Sequence, residues 1–198
     1  MFEHDLNKVV YLDLPKTRVY LRPHQNEDLP FFRWALNNRE ISRFVSRNGP
    51  MTMEDEEEWY SRTCKKSQDR VNLSIVLKEG DKLIGSMGIH AIQPANRTAM
   101  TGSFIGYPEL LGKGLGTEAK MLLLSDAFER LNLRQLYSSV FAFNPRSAAY
   151  ALKCGYEQYA TTPEHQFWEG KYYDLLHFRI TRNMWLPKWN EFKEKMGG

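Results

Sequence analysis

Residues 104–117 constrain the fold of this 198-residue chain more than any other segment. They run from a β-strand pattern through Gly112, Gly114 and Gly116 into 116–131, where apolar residues recur at helical spacing. Free backbone N–H groups at a helix start, together with the helix dipole, bind anions, and glycines let the backbone approach a phosphate closely. The segment therefore predicts a strand, a tight turn and a helix that together bind a phosphate group.

The spacing of the glycines separates this segment from two common phosphate-binding motifs. A P-loop has the pattern G-x-x-x-x-G-K-[S/T], whereas five residues separate Gly106 from Gly112 and Lys113 is followed by Gly114. A dinucleotide-binding loop has the pattern G-x-G-x-x-G, whereas a glycine stands at every second position from Gly112 to Gly116. Neither motif fits. Lys113, between two glycines, favours a phosphate site of another kind over a plain turn without a ligand.

Hydrophobic periodicity predicts a single mixed α/β domain. In chain order the patterns are one strand, two helices, three strands, a helix, a strand, a helix and two strands. The predicted strands cover 18–22, 72–77, 82–89, 100–107, 135–141, 155–168 and 172–181, and the predicted helices cover 27–38, 52–60, 116–131 and 145–153. We expect residues 1–16 to form an N-terminal arm, 17–186 the domain itself and 187–198 a C-terminal helical tail.

Composition excludes several classes of protein. The 27 Lys and Arg residues against 24 Asp and Glu give a net charge of +3, which is too slight to predict nucleic-acid binding. No apolar run approaches the ~18 residues of a membrane-spanning helix, so no membrane partner is expected. Cys64 and Cys154 are too few for a disulfide framework, which favours the reducing cytoplasm. No group of His, Cys and carboxylate residues has the spacing of a metal site.

Three segments, in order along the chain, resemble the GNAT superfamily of N-acetyltransferases. Residues 108–119 resemble its acetyl-CoA pyrophosphate loop, which has the pattern R/Q-x-x-G-x-G/A. Residues 144–147 (N-P-R-S) and then 155–156 (G-Y) are similar to the family's N-x-x-S…G-F/Y segment. Residues 170–174 (G-K-Y-Y-D) resemble the G-x-Y-x-D of the ribosomal-protein-alanine, or RimJ/RimL-like, branch. The resemblance covers about residues 17–186, which would form the acetyltransferase domain.

The resemblance implies the GNAT fold, a central twisted and mostly antiparallel sheet of about seven strands flanked by about four to five helices. It implies direct transfer of an acetyl group from acetyl-CoA to a primary amine, either a protein N-terminus or a small molecule. The transfer would occur in a ternary complex on a monomer or a homodimer. Leu111 stands where the family has Arg or Gln. This departure leaves open an alternative, a non-catalytic acyl-CoA-binding module with a degenerate active site.

Position in the family motifs assigns one group of residues to acetyl-CoA. They are Phe104, Ile105, Gly106, Gly112, Lys113, Gly114, Leu115, Gly116, Thr117 and Asn144. The backbone of Phe104 and Ile105 would grip the pantetheine arm, and the amide of Gly106 would lie near the thioester carbonyl; a bulge glycine explains Gly106 equally well. Asn144 would bond the pantetheine, and it is also a good N-cap for a helix that begins at Pro145.

The resemblance places the candidate proton donor for the departing CoA thiolate on the helix that follows Asn144. Ser147 occupies the position used in the RimJ/RimL-like branch. Tyr150, roughly 60° away around the helix, is the second candidate, and packing in the core is its alternative role. The predicted catalytic residues are therefore Ser147 and Tyr150.

The general base and the acceptor site are defined less closely by the sequence. Met100 stands where related enzymes often carry Glu, so Glu109, His90 and Asp174 are the remaining candidate bases, beside a relay through water. The predicted contacts of the acceptor amine are Trp34, Glu109 and Asp174. The acidic run 54–58 either attracts a cationic amine or forms a solvated helix face.

Overall fold

The computed structural model describes residues 9–45, 49–63 and 69–198, so the start of the predicted arm and Cys64 lie outside the described residues. Seven strands form one sheet in the order β1-β2-β3-β4-β5-β7-β6. The strands are β1 (Val19–Pro23), β2 (Val71–Leu77), β3 (Lys82–Gln93), β4 (Thr98–Ile105), β5 (Gln135–Phe141), β6 (Glu157–Trp168) and β7 (Lys171–Thr181). The helices are α1 (Leu29–Asn37), α2 (Arg39–Ser42), α3 (Met53–Thr63), α4 (Leu115–Ser125), α5 (Pro145–Lys153) and α6 (Arg182–Met196). The predicted mixed α/β fold is confirmed.

The sheet is interrupted between its two parallel strands. Every neighbouring pair is antiparallel except β4 and β5. In the described chain these two strands pair at only three positions, from Thr98–Gln135 to Met100–Tyr137. β4 then continues to Ile105 while β5 pairs along its whole length with β7. The sheet therefore opens into a wedge between β4 and β5.

Helix α4 lies at the centre of the hydrophobic core. It packs against β1, β3, α5 and α6, and most of its side chains, polar ones included, are buried. The helix continues beyond Ser125 as a π-helical turn over Asp126–Arg130. Burial on nearly all sides fixes the position of α4, and its N-terminal residues line the opening between β4 and β5.

Capping residues define the two ends of α5, whose bounds agree with the predicted helix over 145–153. The Asn144 side chain accepts a hydrogen bond from the backbone N–H of Ser147 at 3.2 Å, which satisfies one of the free amides of the first turn. At the other end, Gly155 has a φ of +96°, and the next amide, that of Tyr156, donates to the carbonyl of Ala151 at 3.1 Å. This is the Schellman arrangement that glycine favours.

The C-terminal helix begins earlier than predicted. We expected it to follow Pro187, but α6 begins at Arg182 and contains the proline. The Thr181 side chain caps its first turn, and Trp185 is fully buried, with its ring centroid 5.0 Å from that of Phe128. Capping and burial of this large ring stabilise the earlier start. Among the described residues, no helix is long and apolar enough to cross a membrane.

Candidate active site

A cleft of about 1050 Å³ occupies the wedge between β4 and β5. Its walls come from β3, β4, β5, the glycine-rich turn, α4 and α5. It brings together ten of the predicted site residues: Phe104, Ile105, Gly112, Gly114, Leu115, Gly116, Thr117, Asn144, Ser147 and Tyr150. Five others lie outside its lining: Trp34, Gly106, Glu109, Lys113 and Asp174. Most of the predicted cofactor residues therefore share one opening.

The glycine-rich turn directs a helix N-terminus at the cleft. Gly112 and Gly114 have φ values of +76° and +84°, which only glycine adopts without strain. Gly114 is the N-cap residue of α4. The amides of Leu115, Gly116 and Thr117 belong to the first turn, where N–H groups have no carbonyl partner within the helix. Free amides of this kind, together with the helix dipole, favour binding of an anion at this edge of the cleft.

An ion pair that the sequence analysis missed holds this turn in place. Arg18 donates to Glu118 Oε1 from Nε at 2.8 Å and from Nη2 at 2.6 Å, and its backbone N–H donates to Oε2 at 2.7 Å. The same Nη2 donates to the carbonyl of Lys113 at 2.8 Å. Lys113 thus contributes its carbonyl to the structure of the turn, while its side chain is exposed. No local pattern reveals a pair of residues so far apart in sequence.

The role predicted for the Gly106 amide is wrong. This amide donates to the carbonyl of Ile84 at 2.9 Å, so it is not available to a thioester carbonyl. A Cβ at position 106 would lie 2.7 Å from the ring of Phe31 and 3.0 Å from the Cβ of Ala35. Close packing of α1 on β4, rather than a bulge, therefore explains the glycine.

The two candidate proton donors both lie on the cleft wall formed by α5. Ser147 lies three residues after the N-cap residue Asn144 and lines the cleft, half-buried. The Tyr150 hydroxyl lies 3.3 Å from Ser103 Oγ on β4, and burial raises its pKa well above 10. Tyr150 therefore keeps its proton at neutral pH.

Of the three candidate bases, His90 lies in the cleft. It is paired with Met100 at the point where β4 and β5 separate. Burial, with smaller contributions from Lys120 and Arg70, lowers its pKa below 6.5, so the imidazole is neutral at pH 7. Glu109 is exposed on a 3₁₀ turn. The carboxylate of Asp174 instead accepts a hydrogen bond from a backbone amide in β6 at 3.0 Å.

Lys120 is a further residue of the cleft that sequence reasoning missed. It is 3% exposed and lines the cleft, where Tyr156 bonds Thr101 through their hydroxyls at 2.8 Å. Burial lowers the pKa of Lys120 to about 8. A signal was present, since Lys120 falls on the same helical face as Leu123 and Leu124, and lysine is rare among fully buried residues.

A second cavity of about 220 Å³ adjoins the cleft at Val45 and Phe104, which line both. The remaining lining residues are Phe32, Leu36, Glu56, Trp59 and Ser86. The acidic run thus has a buried member, since Glu56 is 1% exposed while most of its neighbours are exposed. Trp34, a predicted acceptor contact, is 48% exposed and packs on Tyr107 outside both cavities.

A buried polar network ends at this second cavity. Ser74 donates to Asp28 at 2.6 Å and lies 2.8 Å from His24 Nδ1. Because the serine proton goes to the carboxylate, the Nδ1 atom must carry the imidazole proton. Nε2 is then the acceptor, 3.3 Å from the hydroxyl of Ser86. Burial lowers the pKa of His24 to about 4, so the ring is neutral at pH 7.

The described residues contain no group of His, Cys, Asp and Glu side chains that could hold a metal ion.

Comparison with known proteins agrees with this geometry. The family described as "Acetyltransferase (GNAT) domain" matches residues 18–157. An uncharacterised N-acetyltransferase of Bacillus subtilis, YoaA, is 23% identical over 85% of this chain and 96% of its own length. A spermidine N(1)-acetyltransferase of Escherichia coli K12 is 26% identical over 86% of this chain and 89% of its own length.

The fold is also that of a solved N-acetyltransferase. The crystal structure of a Vibrio cholerae spermidine N-acetyltransferase in complex with CoA and spermine superposes with a TM-score of 0.79, at 25% identity, over 85% of this chain and 98% of the other. The expected seven-stranded sheet is confirmed, and the described residues form six α-helices. From its sequence match, its sheet and its glycine-rich helix start, the chain belongs to the GNAT family of acetyltransferases and is an N-acetyltransferase.

Proposed function

We propose that this enzyme binds acetyl-CoA in the cleft between β4 and β5 and transfers the acetyl group directly to a cationic primary amine in a ternary complex. The observation that carries this proposal is the separation of β4 and β5 after Met100, which opens a cleft that begins at the N-terminus of α4. The fold family uses acetyl-CoA, and the similar Vibrio cholerae enzyme has been crystallised with CoA and spermine.

The cofactor would lie along the cleft from the helix start to the closed end. The pyrophosphate accepts hydrogen bonds from the amides of Leu115, Gly116 and Thr117, beside the charge of Arg18. The pantetheine arm takes the place of β5 along the free edge of β4. Asn144 uses its side-chain oxygen to cap α5, which leaves its NH₂ group for the arm. The charge-assisted hydrogen bonds to the pyrophosphate contribute about 1.5–3 kcal/mol each.

Acetyl transfer requires a neutral amine as the nucleophile and a leaving group, the CoA sulfur, that takes the electron pair of the C–S bond. His90, which is neutral at pH 7, takes the first proton from the ammonium of the acceptor and releases it to water. The amine nitrogen then bonds the carbonyl carbon, the C–S bond breaks, and its electron pair goes to the sulfur of CoA. The nitrogen then loses its second proton, which Ser147 relays to that sulfur, and Tyr150 is the second candidate for this relay.

The second cavity fits a cationic acceptor. Trp59 and Phe32 present aromatic faces, which attract ammonium groups, and helix α3 places acidic residues around Glu56. The cavity meets the cleft at Phe104, so an amine bound there would face the thioester. Two of the similar enzymes are named for spermidine, which makes polyamines the first acceptors to test. Protein N-termini, the acceptors implied by the RimJ/RimL-like segment, present the same primary amine.

A panel of amines tests the proposal. The protein is incubated with acetyl-CoA and a polyamine, an N-terminal peptide or an aminoglycoside, and CoA release is measured together with the mass of the amine. We expect equal amounts of free CoA and acetylated amine with at least one of these acceptors. Acetyl-CoA that binds but stays intact with every amine would identify a non-catalytic acyl-CoA-binding protein and overturn the proposal.

A pair of aromatic variants tests the acceptor site separately. Trp59→Ala should raise the KM of the amine without changing acetyl-CoA affinity. Tyr172→Ala is the matched control, because Tyr172 is 63% exposed and lies outside both cavities. An equal KM for the two variants would place the acceptor elsewhere.

A further inference from the structure

We infer that Lys120 is a further catalytic residue of this enzyme, whose ammonium group contacts the sulfur of CoA and stabilises the thiolate as it leaves. The inference rests on the proposed function, because it requires acetyl-CoA in the cleft between β4 and β5. It explains why a lysine stands on the buried face of α4.

Lys120 is buried without a protein acceptor. Its side chain is 3% exposed, and within the described part of the chain it forms no ion pair or hydrogen bond. Its Nζ atom lies 5.7 Å from the ring centroid of Tyr150 and 5.9 Å from that of Tyr156. An ammonium group that is largely withdrawn from water and has aromatic rings but no hydrogen-bond acceptor beside it is in a costly position. A lysine that lines a ligand cleft in this state fits a ligand atom that accepts from it.

The position of Lys120 identifies that atom. The two tyrosines that flank it bond β4 at Ser103 and Thr101, and β4 leaves β5 immediately before, at Met100. Lys120 therefore lies at the closed end of the wedge. With the pyrophosphate at the mouth of the cleft, the closed end receives the other end of the arm, which carries the thioester.

The titratable groups around Lys120 are neutral at pH 7, so Lys120 carries the positive charge at this place in the cleft. Burial raises the pKa of Tyr150, Tyr156 and Cys154, so all three stay protonated and neutral at pH 7. His90 on β3 is also neutral, because its pKa is lowered. The pKa of Lys120, about 8, leaves it mostly cationic at pH 7. It is also close to the ~8.5 of a free thiol.

The negative charge that develops on sulfur during acetyl transfer requires a positive group nearby. When the C–S bond breaks, its electron pair goes to sulfur, while the second proton is still on the nitrogen of the former amine. The sulfur therefore carries a negative charge until a proton reaches it. An ammonium group at the closed end balances that charge without giving up a proton, as fixed positive groups do for other developing anions.

Binding of CoA and of desulfo-CoA, in which hydrogen replaces the thiol, tests the contact without any turnover. We expect the wild-type protein at pH 7.5 to bind CoA about tenfold more tightly than desulfo-CoA, the size of a charge-assisted contact. Lys120→Met, which keeps the length and loses the charge, should bind the two equally. Lys120→Arg should restore part of the difference. In parallel, kcat should fall at least tenfold in Lys120→Met with little change in the KM of acetyl-CoA.

The outcomes separate this inference from the proposed function. Failure of the wild-type protein to bind either molecule overturns the proposed function. Equal wild-type affinity for CoA and desulfo-CoA overturns the role of Lys120 alone, and this comparison needs no variant. A preference for CoA that persists in Lys120→Met also overturns it, because the thiol contact then lies with another residue. Thermal unfolding confirms that Lys120→Met is folded; removal of a buried charge should leave it as stable as wild type or more so.

Discussion

Replacement of Gly114 by alanine should weaken acetyl-CoA binding, whereas the same replacement in a turn outside the cleft should lower only the stability of the fold. Gly114 has a φ of +84°, and a Cβ there would lie 3.3 Å from Nη2 of Arg18. A residue with a side chain costs about 1–2 kcal/mol in this left-handed conformation. The turn relieves that strain by rotating, which turns the amides of residues 115–117 away from the phosphate. Loss of one or two charge-assisted hydrogen bonds, about 1.5–3 kcal/mol each, corresponds to a loss of affinity of at least about tenfold.

Isothermal titration with CoA measures the affinity, and urea unfolding measures the stability. Gly170→Ala is the matched control, because Gly170 has a φ of +81° in the turn between β6 and β7, where a Cβ would meet no atom within 4 Å, and it has no part in the cleft. Both variants should lose about 1–2 kcal/mol of unfolding free energy, and only Gly114→Ala should lose CoA affinity. Wild-type affinity in a destabilised Gly114→Ala would show that the phosphates bind away from this turn.

Three further predictions concern the cleft and the network beside it. Leu111→Arg restores the donor that the family pattern has there and should tighten CoA binding about tenfold in titrations. Ser147→Ala should lower kcat while acetyl-CoA affinity stays constant, with Tyr150→Phe measured beside it. Burial lowers the pKa of His24 from 6.5 to about 4. As the pH falls, this imidazole is therefore protonated in the unfolded chain before it is protonated in the folded protein. The free energy of unfolding therefore keeps its full value above pH 6.5 and decreases by about 3 kcal/mol as the pH drops to 4. His24→Asn should remove that part of the acid sensitivity in urea titrations.

Each of these predictions has an outcome that contradicts it. Weaker CoA binding by Leu111→Arg would mean that Leu111 packs against the protein in the complex. A collapse of kcat in Tyr150→Phe alone would assign the proton to the tyrosine. Acid sensitivity that is unchanged in His24→Asn would assign it to other groups.

Much of the fold could be predicted because its elements carry local signals. The bounds of β5 and α5 agree with the prediction, since Asn144 and Gly155 mark the two ends of the helix by their own conformational preferences. The turn before α4 was also predicted, because alternate glycines before an amphipathic pattern are a local feature. The start of α6 was not, because it depends on burial of Trp185 against a distant part of the core.

The remainder of the site depends on contacts that no local pattern contains. Arg18, next to β1, pairs with Glu118 because α4 packs on β1. The charge of Lys120 acts on His90 because α4 also packs on β3. Gly106 looked like a cofactor contact in sequence, whereas the approach of α1 is what requires a glycine. Periodicity gives the elements, and the packing of elements decides which side chains meet.

A crystal structure of the protein with CoA bound would show where the cofactor lies. We expect the pyrophosphate on the amides of residues 115–117, the pantetheine arm between β4 and β5, and the sulfur at the closed end beside Thr101 and Lys120. A pyrophosphate bound elsewhere, or an arm that leaves the wedge between β4 and β5 empty, would contradict this expectation.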